Sequence, residues 1–555
     1  LMHPKRHPMS MDISMGCDKN GKLTFIKADI IGDTGAYASV GMKVLERAAG
    51  HATSVYTIPS VEILSRAVYT NNVPCGAMRG FGVNQINFAV ESCIDELCEL
   101  GGFDRWQIRF DNALKPGDCT STGQKITSGI GIQKTLLAVK EKFQSAKYAG
   151  IACGMKNTGI GNGIADEGKV KVVIDSPNNV IIHHGWTEMG QGVFTMAVQF
   201  LCEATGISPE LISVKVDTSK EAPAGMTTAS RGTSIIGNSV LDAGSKIKAD
   251  LETHSLAELV GREYVGEWIC DWTTSLASNT EDPETHYSYS YATQVVTLDD
   301  SGQIDTVFAA HDAGRIINPV LFEGQLEGSV HMGLGYALSE NFEMQEGRPK
   351  HTRLGKLGMI RAASTPQIVV IGVEEPDEFG PCGAKGVGEI GLVPTASAVS
   401  NAFFQYNGER QYELPLKKMS VKLKLITDGD VSGALMVTDD KYNVDIFLGI
   451  GGGPEGVLAA SALDTYGCKF QGRFLFENEK DISRAMQMGI TDLDKKYDLK
   501  EIIKGDSIFC ATGITAGDLV KGINVKDSKY ITETLVTHKS SNTCKIVTRE
   551  DTIKT

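Results

Sequence analysis

Between Gly380 and Pro394 the chain reads Gly-Pro-Cys-Gly-Ala-Lys-Gly-Val-Gly-Glu-Ile-Gly-Leu-Val-Pro. Five glycines fall within twelve residues, and a single carboxylate, Glu389, stands among them. Glycine at this density lets a backbone approach a ligand closely or take a positive φ. The next segment, Thr395 to Phe404, has a helical composition. Glu389 is therefore expected at a loop-to-helix turn, where a general base could be held over a cofactor. Read alone, the stretch also fits a glycine-rich connector with an exposed Glu, because one glycine motif is weakly specific.

The same design recurs along the chain. Asn71–Gly82 carries Arg79 and Phe81 and leads into Val83–Leu100, where Ile86, Ala89, Val90, Ile94, Leu97 and Cys98 recur at helical spacing. Gly185–Gly192, with the amide Gln191, opens a predicted helix over Val193–Ala204. Thr227–Thr233 is small and hydroxyl-rich and precedes a predicted helix from about Ser239 to Leu251. His311–Pro319 is followed by Gly324–Gly328 and a small-residue helix. Each could be a plain strand–turn–helix connection. Repeated helix N-termini, however, suit a large, multiply anionic and hydrogen-bonding cofactor better than a point metal ion.

Between these loops the pattern is mostly β. Asp12–Met15 and Lys22–Ile26 flank Asn20-Gly21, a hairpin signal. Val44–Tyr56 reads as a short helix or a loop and contains Arg47, a surface residue on the plainest reading. Val61–Tyr69 reads as a strand, Lys134–Phe143 as a helix, and Gly150–Ile182 as strands after a boundary near 145–150. His183 and His184 are expected on opposite faces of a strand, a poor metal pair and so structural.

The chain has 555 residues, enough for three or four domains. A net charge of −14 argues against a general nucleic-acid binder. Twelve cysteines form no Cys-x-x-Cys pair and have no histidines at zinc spacing. They are expected as reduced thiols in a cytoplasmic protein, and not as iron–sulfur ligands. No apolar run approaches a membrane span of about 18 residues, and no signal peptide is visible at the start.

Together, Met78-Arg-Gly-Phe-Gly82, Thr187-Glu-Met-Gly-Gln-Gly192, Thr228-Ala-Ser230, Asn318-Pro319 with Gly324-Gln-Leu-Glu-Gly328, and Ala384-Lys-Gly-Val-Gly-Glu389 resemble the molybdenum-binding subunit of the xanthine dehydrogenase/aldehyde oxidase family. The resemblance runs over about residues 1–419. It implies a molybdenum–pterin cofactor, in its simple or cytosine dinucleotide form, held between two subdomains at 1–149 and 150–419. By position it makes Glu389 the catalytic base, a role best served by a pKa raised by burial. Arg79, Gln191, Ala229, Ser230 and Gln325 fall on cofactor-contacting positions. Val44–Ala49 resembles the stretch with the substrate-binding Arg, which makes Arg47 that residue. Phe81 matches one of two aromatic groups that sandwich a flat heterocycle; Asn162 stands where the second is expected. The implied activity is hydroxylation of a purine or related N-heterocycle with water as oxygen source. Electrons would pass to separate iron–sulfur and FAD subunits, in a complex that could itself be a homodimer. No nucleic acid or membrane partner is expected. A glycine-rich motif and a further domain are expected upstream of His3–Pro8, so the chain reads as truncated.

After Val421 the character changes. Val421–Val431 reads as a strand ending in Asp428 and Asp430, and Asp445–Gly456 as a strand and glycine loop before a helix at Val457–Tyr466. Carboxylates at strand ends beside a phosphate-cradling loop suit a metal-dependent phosphatase, though an ordinary βα turn would look alike. Asp428-Gly-Asp430, Gly449–Val457, Gln471-Gly-Arg473 and Ala511–Thr515 resemble the C-terminal half of class II fructose-1,6-bisphosphatase. That implies substrate contacts at Asp428, Gly429, Asp430 and Gly452, and Glu455 as one ligand of a divalent Mn²⁺ or Mg²⁺ ion. The expected fold class is mixed α/β and α+β: two molybdopterin-binding subdomains, then a partial α/β sugar-phosphatase domain over 421–555. The alternatives are a fructose-1,6-bisphosphatase fragment or an inactive chimera of two truncated enzymes. The junction Lys417–Val421 is much shorter than a flexible linker between evolved modules.

Overall fold

The computed structural model describes residues 5–552, apart from positions 218, 220, 221, 223, 224, 347, 352, 418–425, 427, 428, 443, 477 and 518. The chain forms two compact units, Leu1–Met419 and Ser420–Thr555.

Unit 1 opens with the predicted hairpin, β1 (Met9–Cys17) and β2 (Leu23–Asp33). Asp18 Oδ1 accepts from the Asn20 and Lys22 amides at 2.8 and 2.9 Å, closing the turn. Helix α1 (Gly41–Gly50) resolves the helix-or-loop ambiguity, and β3 (Ser60–Val68) pairs parallel to β2. Then come α2 (Val83–Gly101), α3 (Arg105–Asn112) and α4 (Ile132–Ser145). Gly82, at φ 94°, starts α2; a methyl there would overlap the Val44 carbonyl.

β4 (Ala149–Thr158) is buried at all ten positions. It forms the edge of a four-stranded sheet with β9 (Ser288–Leu298), β10 (Ile304–Asp312) and β13 (Gln367–Val373), in the order β13-β10-β9-β4. Side chains alternate across a strand. Ile151, Cys153 and Met155 therefore join the core of the first 139 residues, while Ala152 joins the cluster under α8 (Thr395–Asn407). The strand's two faces tie both halves of the unit together.

A second sheet has the order β7-β6-β5-β8, from β5 (Asp166–Ser176), β6 (Asn179–His183), β7 (Ile212–Lys215) and β8 (Glu263–Cys270). Helices α5 (Val193–Thr205) and α6 (Gly232–Leu251) pack on it through Phe200, Ile235, Val240 and Ile247. α6 begins about seven residues before the predicted Ser239. Its first turns are Gly-Thr-Ser-Ile-Ile-Gly-Asn, a composition that reads as loop. Gly237 is required there because Phe200 and Pro381 pack against it. Helix α7 (Pro319–Leu338) likewise starts at Pro319, with Asn318 as N-cap accepting from the Leu321 amide at 3.0 Å. A short hairpin, β11 (Met344–Gln345) and β12 (Arg348–Pro349), follows it.

Unit 2 contains α9 (Asp430–Leu435), α10 (Gly453–Thr465), α11 (Glu479–Gln487) and α12 (Leu499–Ile502), with the small pair β14 (Gln471–Gly472) and β15 (Tyr497–Asp498). Its sheet joins β16 (Ile508–Thr512), β17 (Asn524–Lys526), β18 (Lys529–His538) and β19 (Thr543–Thr552). Leu435, Ala462, Leu463, Phe509 and Leu535 form its core. Asp428 and most of the predicted strand Val421–Val431 lie outside the described residues. Asp430 begins a helix, not the end of a strand. The predicted strand after Asp445 is also absent: Ile446, Leu448 and Ile450 are 74, 89 and 82% exposed. A strand needs a neighbour for its N–H and C=O groups, and among the described residues none pairs with this segment.

Candidate functional site

Five chain segments meet around a cavity of about 690 Å³ in unit 1. They are the stretches before α2, before α5, before α6, at the start of α7, and 384–389 before α8. Arg79, Phe81, Gln191, Ala229, Ser230, Gln325 and Glu389 all line it. Residues separated by more than three hundred positions thus share one wall.

The loops are shaped by unusual backbone. Phe81, Ala229 and Ser230 take positive φ of 48, 52 and 52°, a region costly for residues with a Cβ. Gly386 lies directly against Ser230; a methyl would overlap the Ser230 carbonyl.

Arg79 spans the wall. Its Nε donates to the Gly388 carbonyl at 2.6 Å, and Nη2 donates to the Gln325 carbonyl at 3.1 Å and to Gln325 Oε1. Burial pushes Arg79 down to about 10, with Glu389 opposing the shift. Arg6 supports it from behind, donating to the Arg79 carbonyl at 2.6 Å and stacking on Tyr336. Gln191 is folded onto its own loop: Oε1 accepts from the Met189 amide and Nε2 donates to the Thr187 carbonyl, both at 2.7 Å. Glu188 holds the same turn by accepting from the amides of Gly190, Gly192 and Phe194. Its carboxyl is held below the ordinary range although burial alone would raise it.

The Glu389 side chain is 12% exposed. Oε1 accepts from the Gly80 amide at 3.1 Å and Oε2 from Ser230 Oγ at 3.4 Å. Lys156 Nζ lies 3.0 Å from Oε2. Sequence reasoning missed Lys156. The available signal was a lone cation in the apolar run Ile-Ala-Cys-Gly-Met before Asn157, where a buried strand rarely admits charge. Arg6, placed outside any motif, was missed as well.

Arg47 is buried and is not among the residues lining this cavity. It donates to His286 Nε2 through Nη1 and to the Ile160 carbonyl through Nη2 at 2.7 Å. A guanidinium can only donate, so His286 accepts at Nε2 and its Nδ1–H faces the Tyr289 hydroxyl at 3.0 Å. Gln124 Oε1 then accepts from Tyr289 at 3.0 Å. Asn162, at φ 54°, donates to Glu46 Oε1 at 2.5 Å and does not line the cavity either. His183 and His184 are both buried, and burial holds His184 down at about 4.

In unit 2, the carboxylates of Asp430 and Glu455 lie against Gly451 and Gly452, where side chains would collide with them. Gly429, at φ 88°, caps α9. Among the described residues, no three His, Cys, Asp or Glu side chains are grouped to hold a metal ion. No described helix is long and apolar enough to cross a membrane. All twelve cysteines are free thiols.

Residues 1–113 and 130–366 match two models of a molybdopterin cofactor-binding domain, and 411–551 match a model described as bacterial fructose-1,6-bisphosphatase, glpX-encoded. Unit 1 is thus related to the molybdenum oxidoreductases of the xanthine dehydrogenase/aldehyde oxidoreductase type. It is similar to a probable xanthine dehydrogenase subunit of Bacillus subtilis, 29% identical over 75% of this chain and 61% of that protein. It is also similar to the nicotinate dehydrogenase large molybdopterin subunit of Eubacterium barkeri, 41% identical over 25% of this chain and 32% of that protein. Among solved structures, the aldehyde oxidoreductase of Desulfovibrio gigas superposes with a TM-score of 0.68 at 28% identity, over 74% of this chain and 48% of that one. The chain spans about three fifths of the length of the first of these curated relatives.

Proposed function

We propose that unit 1 is the cofactor-binding core of a molybdenum hydroxylase that oxidises a purine or related N-heterocycle, with oxygen drawn from water. The observation that carries this reading is the meeting of five separate chain segments on one cavity, with Glu389 as the carboxylate in its wall. The cavity volume of about 690 Å³ lies within the range of roughly 300–1,000 Å³ for cofactor and ligand sites. The residues fit a large pterin bearing phosphate. Helix N-termini and loop amides favour anions, and Arg79 adds a cation. Trp186 Nε1 and Thr227 Oγ1, both of cavity-lining residues, are buried without a hydrogen-bond partner among the described residues.

In this reading Arg79, Gln191, Ala229, Ser230 and Gln325 hold the molybdenum–pterin group, in its simple or cytosine dinucleotide form. When bound, that group supplies the two-electron acceptor. Glu389 takes a proton on its carboxylate, which the Gly80 amide and the Ser230 hydroxyl hold at the cavity wall. Phe81 offers a flat face to an aromatic ring. The family resemblance gives Arg47 the role of steadying negative charge growing on the ring; here it is buried outside the cavity lining, donating to His286 and Ile160. Iron–sulfur and FAD subunits accept the electrons, in the cytoplasm. The relatives named for xanthine and nicotinate support an N-heterocyclic substrate.

The test is Glu389→Gln in the full chain. Hydroxylation should fall by about 10²–10⁴, as for loss of a general base, while molybdenum and pterin content stays unchanged. Equal loss of both would sink the base assignment.

The family match over 411–551 favours a second reading, for unit 2 alone. Gly429, Asp430 and Gly452 would contact a sugar bisphosphate, with Asp428 outside the described residues, and Glu455 would hold Mn²⁺ or Mg²⁺. Manganese-dependent release of phosphate from fructose 1,6-bisphosphate tests it. With one candidate metal ligand, no release above background is expected.

A further inference from the structure

Lysine is among the residues least often fully buried unless paired. Lys156 is the one Lys or Arg in a ten-residue strand buried throughout, and its side chain is 2% exposed. Its ammonium has two oxygen partners, Asn157 Oδ1 at 2.7 Å and Glu389 Oε2 at 3.0 Å. The groups facing it come from three other elements: Glu389 from the glycine loop, Arg47 and His51 from α1 and its end, and His286 from the segment before β9. Burial holds both imidazoles well below their ordinary range, as neutral groups. Arg47 is a second cation and Glu389 the anion of the group, and Arg6 and Arg79 are further cations that face Glu389. Glu389 in turn has its two oxygens assigned: Gly80 N–H to one, Lys156 and Ser230 to the other.

We propose that Lys156 is the positioning residue of Glu389: its ammonium, with the Ser230 hydroxyl, fixes one oxygen of this carboxylate at the cavity wall. The proposal rests on Glu389 being the base. Two features fit a tuned pair. First, Lys156 reaches Glu389 from the core side while the carboxylate keeps its small exposure on the cavity side. Second, burial, reinforced by Arg47 and opposed by Glu389, pushes Lys156 down to about 8. The ammonium is therefore retained at neutral pH and lost in mildly alkaline solution. Removing one partner of a buried ion pair leaves an uncompensated charge, so each member should titrate differently without the other.

The direct test needs no cofactor. The full chain is labelled with ¹³Cε-lysine, and Lys156→Arg identifies the Lys156 signal by its disappearance. The expected midpoint is near pH 8. In Glu389→Gln, which removes the opposing carboxylate, the midpoint should drop by about one unit or more. A midpoint unmoved by Glu389→Gln, or one below neutral pH in the native chain, so that no ammonium faces Glu389, would overturn the proposal. In the loaded enzyme, Lys156→Met should shift the acid limb of the kcat/KM profile to higher pH with KM little changed, and Lys156→Arg should restore it. Three superimposable profiles would also overturn it. If Lys156→Met does not fold, the lysine signal in Glu389→Gln still decides the matter. Cofactor content reports on the cavity and the lysine signal on the pair, so failure of one reading is distinct from failure of the other.

Discussion

Single residues in unit 1 carry charge states set by burial, and these make its stability depend on pH. Burial holds His184 at about 4 and His311 at about 3, against an ordinary value of 6.5. In the unfolded chain both imidazoles bind a proton as the pH falls through about 6.5. In the folded chain neither does until about pH 4 or 3. The unfolded state binds more protons across that window, so stability falls as pH drops from about 6.5 toward 4. Each unit of separation is worth about 1.4 kcal/mol, which puts the loss at about 3 kcal/mol for each imidazole by about pH 4. Urea unfolding of the full chain at about pH 7 and pH 5, on either side of the ordinary value, measures it, and His311→Gln should reduce the difference without abolishing it, because His184, His51 and His286 remain. The site residues divide along a physical line. Glu389 and Arg79 stand in glycine loops, and Gln325 lies in α7 between Gly324 and Gly328, so composition announces all three. Lys156 and Arg6 stand in a strand and a terminal stretch, and their importance comes from burial, which single-sequence pattern does not report. Arg47 lies on an amphipathic helix, and its neighbour His286 is 239 positions away.

At the level of elements, close backbone packing sets what the sheets tolerate. A methyl at Gly150 would overlap the Ala398 carbonyl and the Ala402 amide, so β4 and α8 would separate. A methyl at Gly266 would overlap the Ser239 carbonyl, lifting α6 from β8. Gly150→Ala and Gly266→Ala should each destabilise unit 1 by about 2 kcal/mol or more, as overpacking does. Gly324→Ala, in α7 with open space around it, should be neutral or stabilising by up to about 1 kcal/mol. Denaturant midpoints of the three variants check this; equal loss in all would contradict the packing described. Element existence was readable where period and caps agree, as in β1, β2, α2 and α5. The starts of α6 and α7 were not, because glycine and hydroxyl residues at a helix N-terminus look like loop. The strand predicted after Asp445 failed because alternation of apolar residues specifies a strand only where a neighbour completes its hydrogen bonds.

The whole molecule is two units with separate cores. The sequence changes character near Val421; of the family models, one ends at 366 and the next begins at 411, ten residues before that change. Binding of a molybdenum–pterin group in the five-segment cavity is measured by molybdenum and pterin analysis of the purified full chain. Native protein and Glu389→Gln should contain both in equal ratio, and Gly386→Val, whose side chain would collide with Ser230 at the cavity wall, should contain neither. Native protein without molybdenum and pterin, or a Gly386→Val variant that retains them, would contradict the account.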